Sequence, residues 1–171
     1  MNEVIKAIKE RRSIRSYTAD MPDRALIDEV INAGLAAASG MNRQPVVIVA
    51  ICDKDLREKY ARANAAVMGS DRDPFYGAPV ILAVIAKTDA PTRVYDGSLA
   101  LGNMMLAAHS LGLGSCWIHR AREVFMLDEW KELLASLGLI GEYEGIGNLA
   151  LGYPAIAPSK PHDDKTRAFV V

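Results

Sequence analysis

VILAVIA, residues 80–86, is a continuous apolar run, and it predicts a buried strand of the fold. A run of this length and composition is typical of a strand that is buried on both faces of a sheet. VVIVAIC at residues 46–52 has the same character and predicts a second buried strand. LGSCWI at 113–118 and IGNLALGYP at 146–154 predict two more strands. The sequence therefore predicts a sheet with an extensive apolar core.

Helical patterns lie between these strands. The periodicity predicts helices near residues 4–8, 26–38, 53–67 and 127–138, with Asp20 as the N-cap of the second. Residues 93–112 are apolar nearly all round, which indicates a helix buried in a core or at a subunit interface. Interleaved helices and strands favour a single α+β or α/β domain whose sheet is covered by helices on both faces.

The composition narrows the possible functions. The 171 residues suggest one domain, and 20 basic against 21 acidic residues give a net charge of −1. This balance argues against a nucleic-acid-binding protein, which relies on excess positive charge. No apolar run approaches the ~20 residues of a membrane span, and the charged N-terminal segment lacks the pattern of a signal peptide. We therefore expect a cytoplasmic protein without a membrane partner, and we expect Cys52 and Cys116 to be buried and unpaired.

ERRSIRSY, residues 10–17, concentrates three arginines in a chain that is otherwise nearly neutral. One interpretation is a solvated helix end, where basic residues favour the helix dipole. The other is an anion site. If the segment were helical and unpaired, Arg11 and Arg15 would repel each other by about 0.2–0.5 kcal/mol. A phosphate would instead accept charged hydrogen bonds of ~1.5–3 kcal/mol each, so a phosphate is a reasonable ligand.

A second polar cluster, ASGMNRQP, occupies residues 38–45 directly before the first predicted strand. Its hydroxyl and amide side chains, Ser39, Asn42 and Gln44, could recognise a planar heterocycle. The alternative is ordinary turn chemistry at a helix C-terminus, with Gly40 as the residue that ends the helix.

The two clusters together resemble the FMN-dependent nitroreductase family. RRSIRSY is followed about two dozen residues later by ASGMNRQP and a buried strand. LAAHSLGLGSCWI is similar to that family's long central helix, glycine turn and following strand, and LALGYP is similar to its last core strand. The resemblance covers essentially the whole chain and is closest in pattern to compact members of the family.

The resemblance implies an α+β fold with a mixed sheet and an intertwined homodimer. Two FMN molecules would lie at the subunit interface, each contacted by both subunits. The apolar helix at residues 93–112 would be the dimer helix. A C-terminal arm at about 155–171, ending in AFVV, would reach the partner subunit.

The resemblance also implies which residues bind FMN. Arg11, Arg12, Ser13 and Arg15 would hold the phosphate and the pyrimidine side of the ring. Arg15 would lie near the N1–C2 carbonyl, where negative charge builds up on reduction. Residues of the 39–44 loop would come from the other subunit, and Asn64 would place an amide near the flavin ring. Residues 116–119 would run along the flavin with backbone N–H groups near N5, and Lys160 would close over the phosphate. These remaining predicted positions are Ser39, Gly40, Met41, Asn42, Gln44, Asn64, Cys116, Trp117, Ile118, His119 and Lys160.

The tail departs from the family pattern. Relatives often have Lys-Pro-Arg-Lys, whereas this chain has KPHDDK from Lys160, with His162 and Asp163 in place of the basic pair. Lys165 or Arg167 are alternatives that could complete the phosphate clamp.

The resemblance implies an oxidoreductase in which NADH or NADPH reduces FMN and a flat, electron-poor acceptor then reoxidises it in a ping-pong cycle. Nitroaromatics and quinones are the expected acceptors. No catalytic side chain is expected, and the three separated histidines do not favour a metal site. Two alternatives remain open: a non-catalytic flavin-binding carrier or sensor, and a different flavin reaction on the same scaffold.

Overall fold

The computed structural model describes residues 2–156 and Phe169. Within these residues, helices alternate with the strands of one sheet. In chain order the elements are α1 (Glu3–Glu10), α2 (Arg24–Leu35), β1 (Val46–Ile51), α3 (Lys54–Met68), β2 (Val80–Lys87), α4 (Arg93–Ser110), β3 (Gly114–Ile118), α5 (Ala121–Phe125), α6 (Asp128–Ser136) and β4 (Tyr143–Gly152).

The sheet has the strand order β1-β2-β4-β3 and its strands pair antiparallel. A parallel pairing occurs at the bridge between Ser13 and Ser115, where the chain before α2 lies beside β3. β2 lies between β1 and β4, and Val80 to Ala86 are completely buried. The predicted buried strand over residues 80–86 is therefore confirmed, as is the α+β class.

Helices cover both faces of the sheet. On one face, α2 and α4 pack against the side chains of Leu82, Val84 and Leu149. On the other face, α3, α5 and α6 enclose an aromatic cluster around Tyr60, whose ring meets that of Trp130 edge-on with centroids 4.8 Å apart. Because both faces of β2 are buried, its sequence does not alternate between apolar and polar residues.

Some local predictions were wrong. β1 is an edge strand, so Ala50 is exposed and Val46 to Ile48 are only partly buried. Cys52 is likewise only partly buried, whereas Cys116 is buried as predicted. The N-cap of α2 is Asp23, and Asp20 instead accepts a 2.9 Å hydrogen bond from the Thr18 hydroxyl.

Helix ends also differ from the sequence prediction. α2 ends at Leu35 with Ala36 as its C-cap, so Gly40 is not the residue that ends it. Gly40 begins a single 3-10 turn instead. The five-residue helix α5 was not predicted, because it is too short to show an apolar period.

Two helices leave apolar side chains uncovered. α1 has no buried residue, and its apolar positions Val4, Ile5 and Ile8 are exposed. On α4, Tyr95 is 72% exposed and Leu99 is 52% exposed, although the opposite side of the helix is buried. In residues 2–156, no helix is both long and apolar enough to cross a lipid bilayer.

The buried centre of β2 should dominate stability. Leu82 is completely buried, so Leu82→Ala should lower the free energy of unfolding by about 2–5 kcal/mol through lost burial and a residual cavity. Ile140 is 89% exposed, and Ile140→Ala should change it by no more than about 0.5 kcal/mol. Urea unfolding of both variants measures this, and equal midpoints would contradict the assignment of β2 as the core strand.

Candidate functional site

The arginine segment is extended and not helical. α1 ends at Glu10, and Arg11 is its C-cap. The following residues lie along β3, where the Ile14 N–H donates to the Ser115 carbonyl at 2.9 Å. A side chain at Gly114 would collide with Ile14, so glycine permits this close approach. Arg11 and Arg15 therefore do not form an i, i+4 pair on a helix, although Arg11 does lie at the C-terminal end of α1.

Three predicted residues of this segment converge on Cys116. Burial raises the pKa of the Cys116 thiol. The positive charge of Arg15, a hydrogen bond from Ser13 and the positive charge of Arg11 each lower the pKa of the thiol and so oppose the effect of burial. Burial also raises the pKa of Tyr17 far above its ordinary value, with Arg15 again opposing. The segment thus brings two guanidinium groups and a hydroxyl to the outer side of β3.

The arginines differ in their partners. Arg12 donates from Nη1 to the carbonyls of Lys9 at 2.6 Å and Arg11 at 2.9 Å, which satisfies carbonyl groups at the end of α1. Arg11 Nη1 is buried and has no hydrogen-bond partner within the described residues. A buried donor on a charged group is costly unless it is paired. The Arg11 guanidinium therefore has the character of an anion-binding group.

The second cluster forms a tight loop with left-handed backbone. Met41, Asn42 and Gln44 have φ values of 53°, 53° and 48°. The Ser39 hydroxyl accepts from the Gln44 N–H at 3.0 Å, and Gln44 Nε2 donates to Asn42 Oδ1 at 2.9 Å. A left-handed non-glycine residue costs on the order of 1–2 kcal/mol, so these bonds hold a strained shape.

α4 anchors this loop. The Gly40 N–H donates to Asp96 Oδ1 at 3.0 Å, and the Thr92 hydroxyl donates to Asp96 Oδ2 at 2.8 Å. A side chain at Gly40 would collide with Thr92, so the glycine is required for this contact. Asp96 is buried, whereas Met41 and Gln44 are exposed. The loop therefore presents its strained residues to the outside from a rigid base.

The two polar clusters lie at opposite edges of the sheet. The Ser39–Gln44 loop leads into β1, and the arginine segment runs beside β3. The order β1-β2-β4-β3 places at least three strand spacings, roughly 14 Å, between them. The fold does not bring the two clusters together within one chain.

The predicted site residues that follow Ser115 pack on different faces of the sheet. Cys116 and Ile118 are buried in the core on the α3 side of the sheet, and Trp117 packs on the α4 side. His119 is exposed, but its carbonyl accepts hydrogen bonds from two buried amides, Asn64 Nδ2 at 3.2 Å and Asn148 Nδ2 at 3.3 Å. Asn64 Oδ1 has no partner among the residues that the structure describes.

Sequence reasoning missed Asn148, Tyr60 and Arg120. Asn148 interrupts the apolar strand GNLALG, a signal that could have been noticed, because buried strand interiors rarely hold an unexplained amide. Tyr60 lies on the apolar side of α3 and gives no such signal. Arg120 has a φ of 75°. Arginine rarely adopts left-handed backbone, so the sequence gives no signal of this conformation. Lys160, with its alternatives His162, Lys165 and Arg167, lies outside the described residues.

Comparison with known proteins gives a consistent result. The model of the nitroreductase family matches residues 8–139. The chain is 30% identical to the FMN reductase [NAD(P)H] of Bacillus subtilis, covering 94% of this chain and 69% of that protein. It is also 30% identical to the NADPH-flavin oxidoreductase of Vibrio harveyi, covering 90% of this chain and 67% of that protein.

Solved structures show the same relationship. A nitroreductase with bound FMN from Bacteroides fragilis is 29% identical, with a TM-score of 0.88 over 100% of both chains. A nitroreductase with bound FMN from Desulfitobacterium hafniense is 26% identical, with a TM-score of 0.87 over 100% of this chain and 99% of that one.

Arg11 should be required for anion binding. Inorganic phosphate should raise the Tm of the wild-type protein, and Arg11→Met should weaken phosphate binding by about 10-fold or more, the value of one charged hydrogen bond. Thermal unfolding against chloride at matched ionic strength measures this.

The control is Arg24→Met, because the Arg24 side chain is 81% exposed and pairs on the surface with Asp28. It should retain the full phosphate effect. An equal phosphate shift in wild type and Arg11→Met would show that Arg11 is not the anion-binding group.

Proposed function

The chain belongs to the nitroreductase family, and from this premise we propose that it is an FMN-dependent oxidoreductase. It takes reducing equivalents from NADH or NADPH and delivers them to flat, electron-poor acceptors such as nitroaromatics and quinones. The Arg11 Nη1, which is buried and has no partner among the described residues, is the observation that carries the proposal, because a guanidinium group fits a phosphate monoester.

The residues of the arginine segment suit the FMN phosphate and the pyrimidine side of the ring. Arg11 supplies a positive charge whose Nη1 is buried without a partner among the described residues, and Ser13 pairs with Ser115 at the same strand edge. Arg15 is exposed at the end of this segment, where its charge would stabilise a developing negative charge on a bound ring. Arg12 would act mainly by holding the end of α1, because its Nη1 is bonded to backbone carbonyls.

Asn64 fits the flavin ring. It is completely buried, and its Nδ2 is committed to the His119 carbonyl, so its Oδ1 is left as an acceptor. An acceptor without a partner suits the N–H of a planar heterocycle. The segment from Cys116 to His119 would contribute backbone rather than side-chain contacts, since Cys116 and Ile118 point into the core.

The complete site would need a second copy of the chain. The Ser39–Gln44 loop lies at the sheet edge opposite the arginine segment, so the two clusters of one chain do not adjoin each other. The exposed apolar residues of α1 and α4, including Ile8, Tyr95 and Leu99, would be covered in a homodimer. We propose that each FMN lies between the arginine segment of one subunit and the Ser39–Gln44 loop of the other.

When bound, FMN supplies the redox chemistry, accepting a hydride from the nicotinamide and passing reducing equivalents to the acceptor. The protein residues bind and orient. No side chain near His119 is needed as an acid or base, and donor and acceptor would use the same exposed region in turn. This alternation predicts ping-pong kinetics.

The visible spectrum of the purified protein, followed by anaerobic titration with NADH and NADPH, tests this function. We expect a flavin spectrum that bleaches with at least one donor and returns when a quinone is added. A bound flavin that neither donor bleaches would favour the flavin-binding carrier or sensor. No flavin binding after FMN is added would contradict the proposal.

Leu99→Glu tests the homodimer. Leu99 is 52% exposed on α4, and a carboxylate there would be desolvated in the proposed interface. We expect a monomer by sedimentation and at least a 10-fold loss of FMN affinity. Ile140→Glu is the matched control, since Ile140 is 89% exposed in the loop before β4 and should leave both properties unchanged. A dimeric, fully flavinated Leu99→Glu variant would exclude α4 from the interface.

A further inference from the structure

A buried chain of polar groups connects α3, β4 and the turn after β3. Tyr60, Asn64 and Asn148 are completely buried in an otherwise apolar region. The Tyr60 hydroxyl donates to Asn148 Oδ1 at 2.7 Å. Asn148 Nδ2 and Asn64 Nδ2 then both donate to the His119 carbonyl, at 3.3 Å and 3.2 Å. Three buried residues on two elements thus converge on a single peptide group.

The chemistry of these groups determines their orientation. A carbonyl only accepts, so both amides must turn their Nδ2 toward His119. Asn148 Oδ1 must then face Tyr60, whose hydroxyl is the donor. Burial raises the pKa of the Tyr60 hydroxyl far above its ordinary value, so it keeps its proton. Reversing the Tyr60–Asn148 bond or the Asn148 amide would leave a buried polar atom unpaired, and reversing the Asn64 amide would set its oxygen against the His119 carbonyl oxygen.

The held peptide joins His119 to Arg120. The peptide bonds of the described residues are not cis, so the Arg120 N–H points opposite to the His119 carbonyl. The carbonyl faces the buried amides, and the N–H therefore faces the exposed side of the turn, where His119 and Arg120 are both exposed. Arg120 has a left-handed φ of 75°, a conformation that a bulky residue keeps only when its surroundings enforce it.

We infer that Tyr60, Asn148 and Asn64 are positioning residues that lock the His119–Arg120 peptide so that the Arg120 N–H is presented as a hydrogen-bond donor to the bound flavin ring. This inference rests on the proposed function, which supplies the flavin. Arg11, Ser13 and Arg15 hold other parts of the cofactor, and the locked peptide adds a fixed neutral donor at the end of β3.

The family resemblance places backbone N–H groups of this segment near flavin N5, so N5 is the atom that we assign to this donor. In the oxidised ring N5 has a lone pair that accepts a hydrogen bond, whereas in the reduced ring N5 carries hydrogen and no longer accepts. A fixed donor therefore stabilises the oxidised form relative to the reduced form. Loosening the donor should raise the midpoint potential of the flavin and weaken the binding of oxidised FMN.

Tyr60→Phe removes the first hydroxyl of the network and keeps the ring among its aromatic neighbours. We expect the Kd for oxidised FMN to rise about fivefold, the effect of one buried neutral hydrogen bond. If reduced FMN is bound unchanged, the midpoint potential rises by about 20 mV, since a tenfold change in relative affinity is about 30 mV for two electrons. In flavin-free protein, the backbone amide signal of Arg120 in a nitrogen–proton correlation spectrum should shift.

Trp130→Phe is the matched control. Trp130 packs edge-on against the Tyr60 ring, and its indole N–H has no partner within the described residues, so the variant perturbs the same core without removing a hydrogen bond of the polar chain. It should lower Tm but leave the Arg120 amide signal, the FMN Kd and the midpoint potential unchanged.

The outcomes separate the two proposals. An Arg120 signal that is unmoved in Tyr60→Phe, or moved equally by both variants, would overturn the positioning network. Wild-type protein that binds no FMN would overturn the proposed function, and a Tyr60→Phe shift of the Arg120 signal would still support the locked peptide. If the wild type binds FMN, and Tyr60→Phe has the same Kd and midpoint potential as the wild type, the link from the network to the flavin would be overturned.

Discussion

The strand order of the sheet is the constraint on which the rest of the structure depends. Because β2 and β4 are central, β1 and β3 must form opposite edges, and each edge carries one of the two polar clusters. The arginine segment closes the β3 edge by pairing Ser13 with Ser115, whereas the strained loop precedes the β1 edge. A single chain therefore holds the two clusters at opposite edges of its sheet. In the proposed homodimer a second copy would bring them together, and the uncovered apolar sides of α1 and α4 would offer the surface for it.

Burial of polar groups follows the same plan. Four polar side chains are buried among the described residues, and three of them hydrogen-bond a segment of the proposed site. Asp96 anchors the loop at Gly40, and Asn64 and Asn148 hold the turn after β3. Ser115 pairs with the arginine segment through its backbone carbonyl. Burying a polar group in an apolar core is costly unless it is paired, and these three side chains are paired where they support such a segment.

The scaffold was largely predictable from sequence because its signals are periodic. The apolar runs gave the central strands, and residues 93–112 gave α4 to within two residues of its end. The edge position of β1 was not predictable, since an apolar strand looks the same whether one or two neighbours pair with it. The conformation of the arginine segment also depended on tertiary contacts, because its pairing with Ser115 lies about a hundred residues away.

The remaining site features depend on backbone conformation, which could not be predicted from the types of residue at these positions. Asn42 adopts left-handed backbone readily, but Met41, Gln44 and Arg120 do so at a cost, and glycine would relieve it at each position. Their presence means that the surroundings, and not the residue's own preference, hold the shape. Asp96 and Ser39 supply that restraint in the loop, and the paired amides supply it in the turn. Strain and restraint coincide in both segments, as expected where a rigid scaffold must hold backbone donors in position for a ligand that binds from outside.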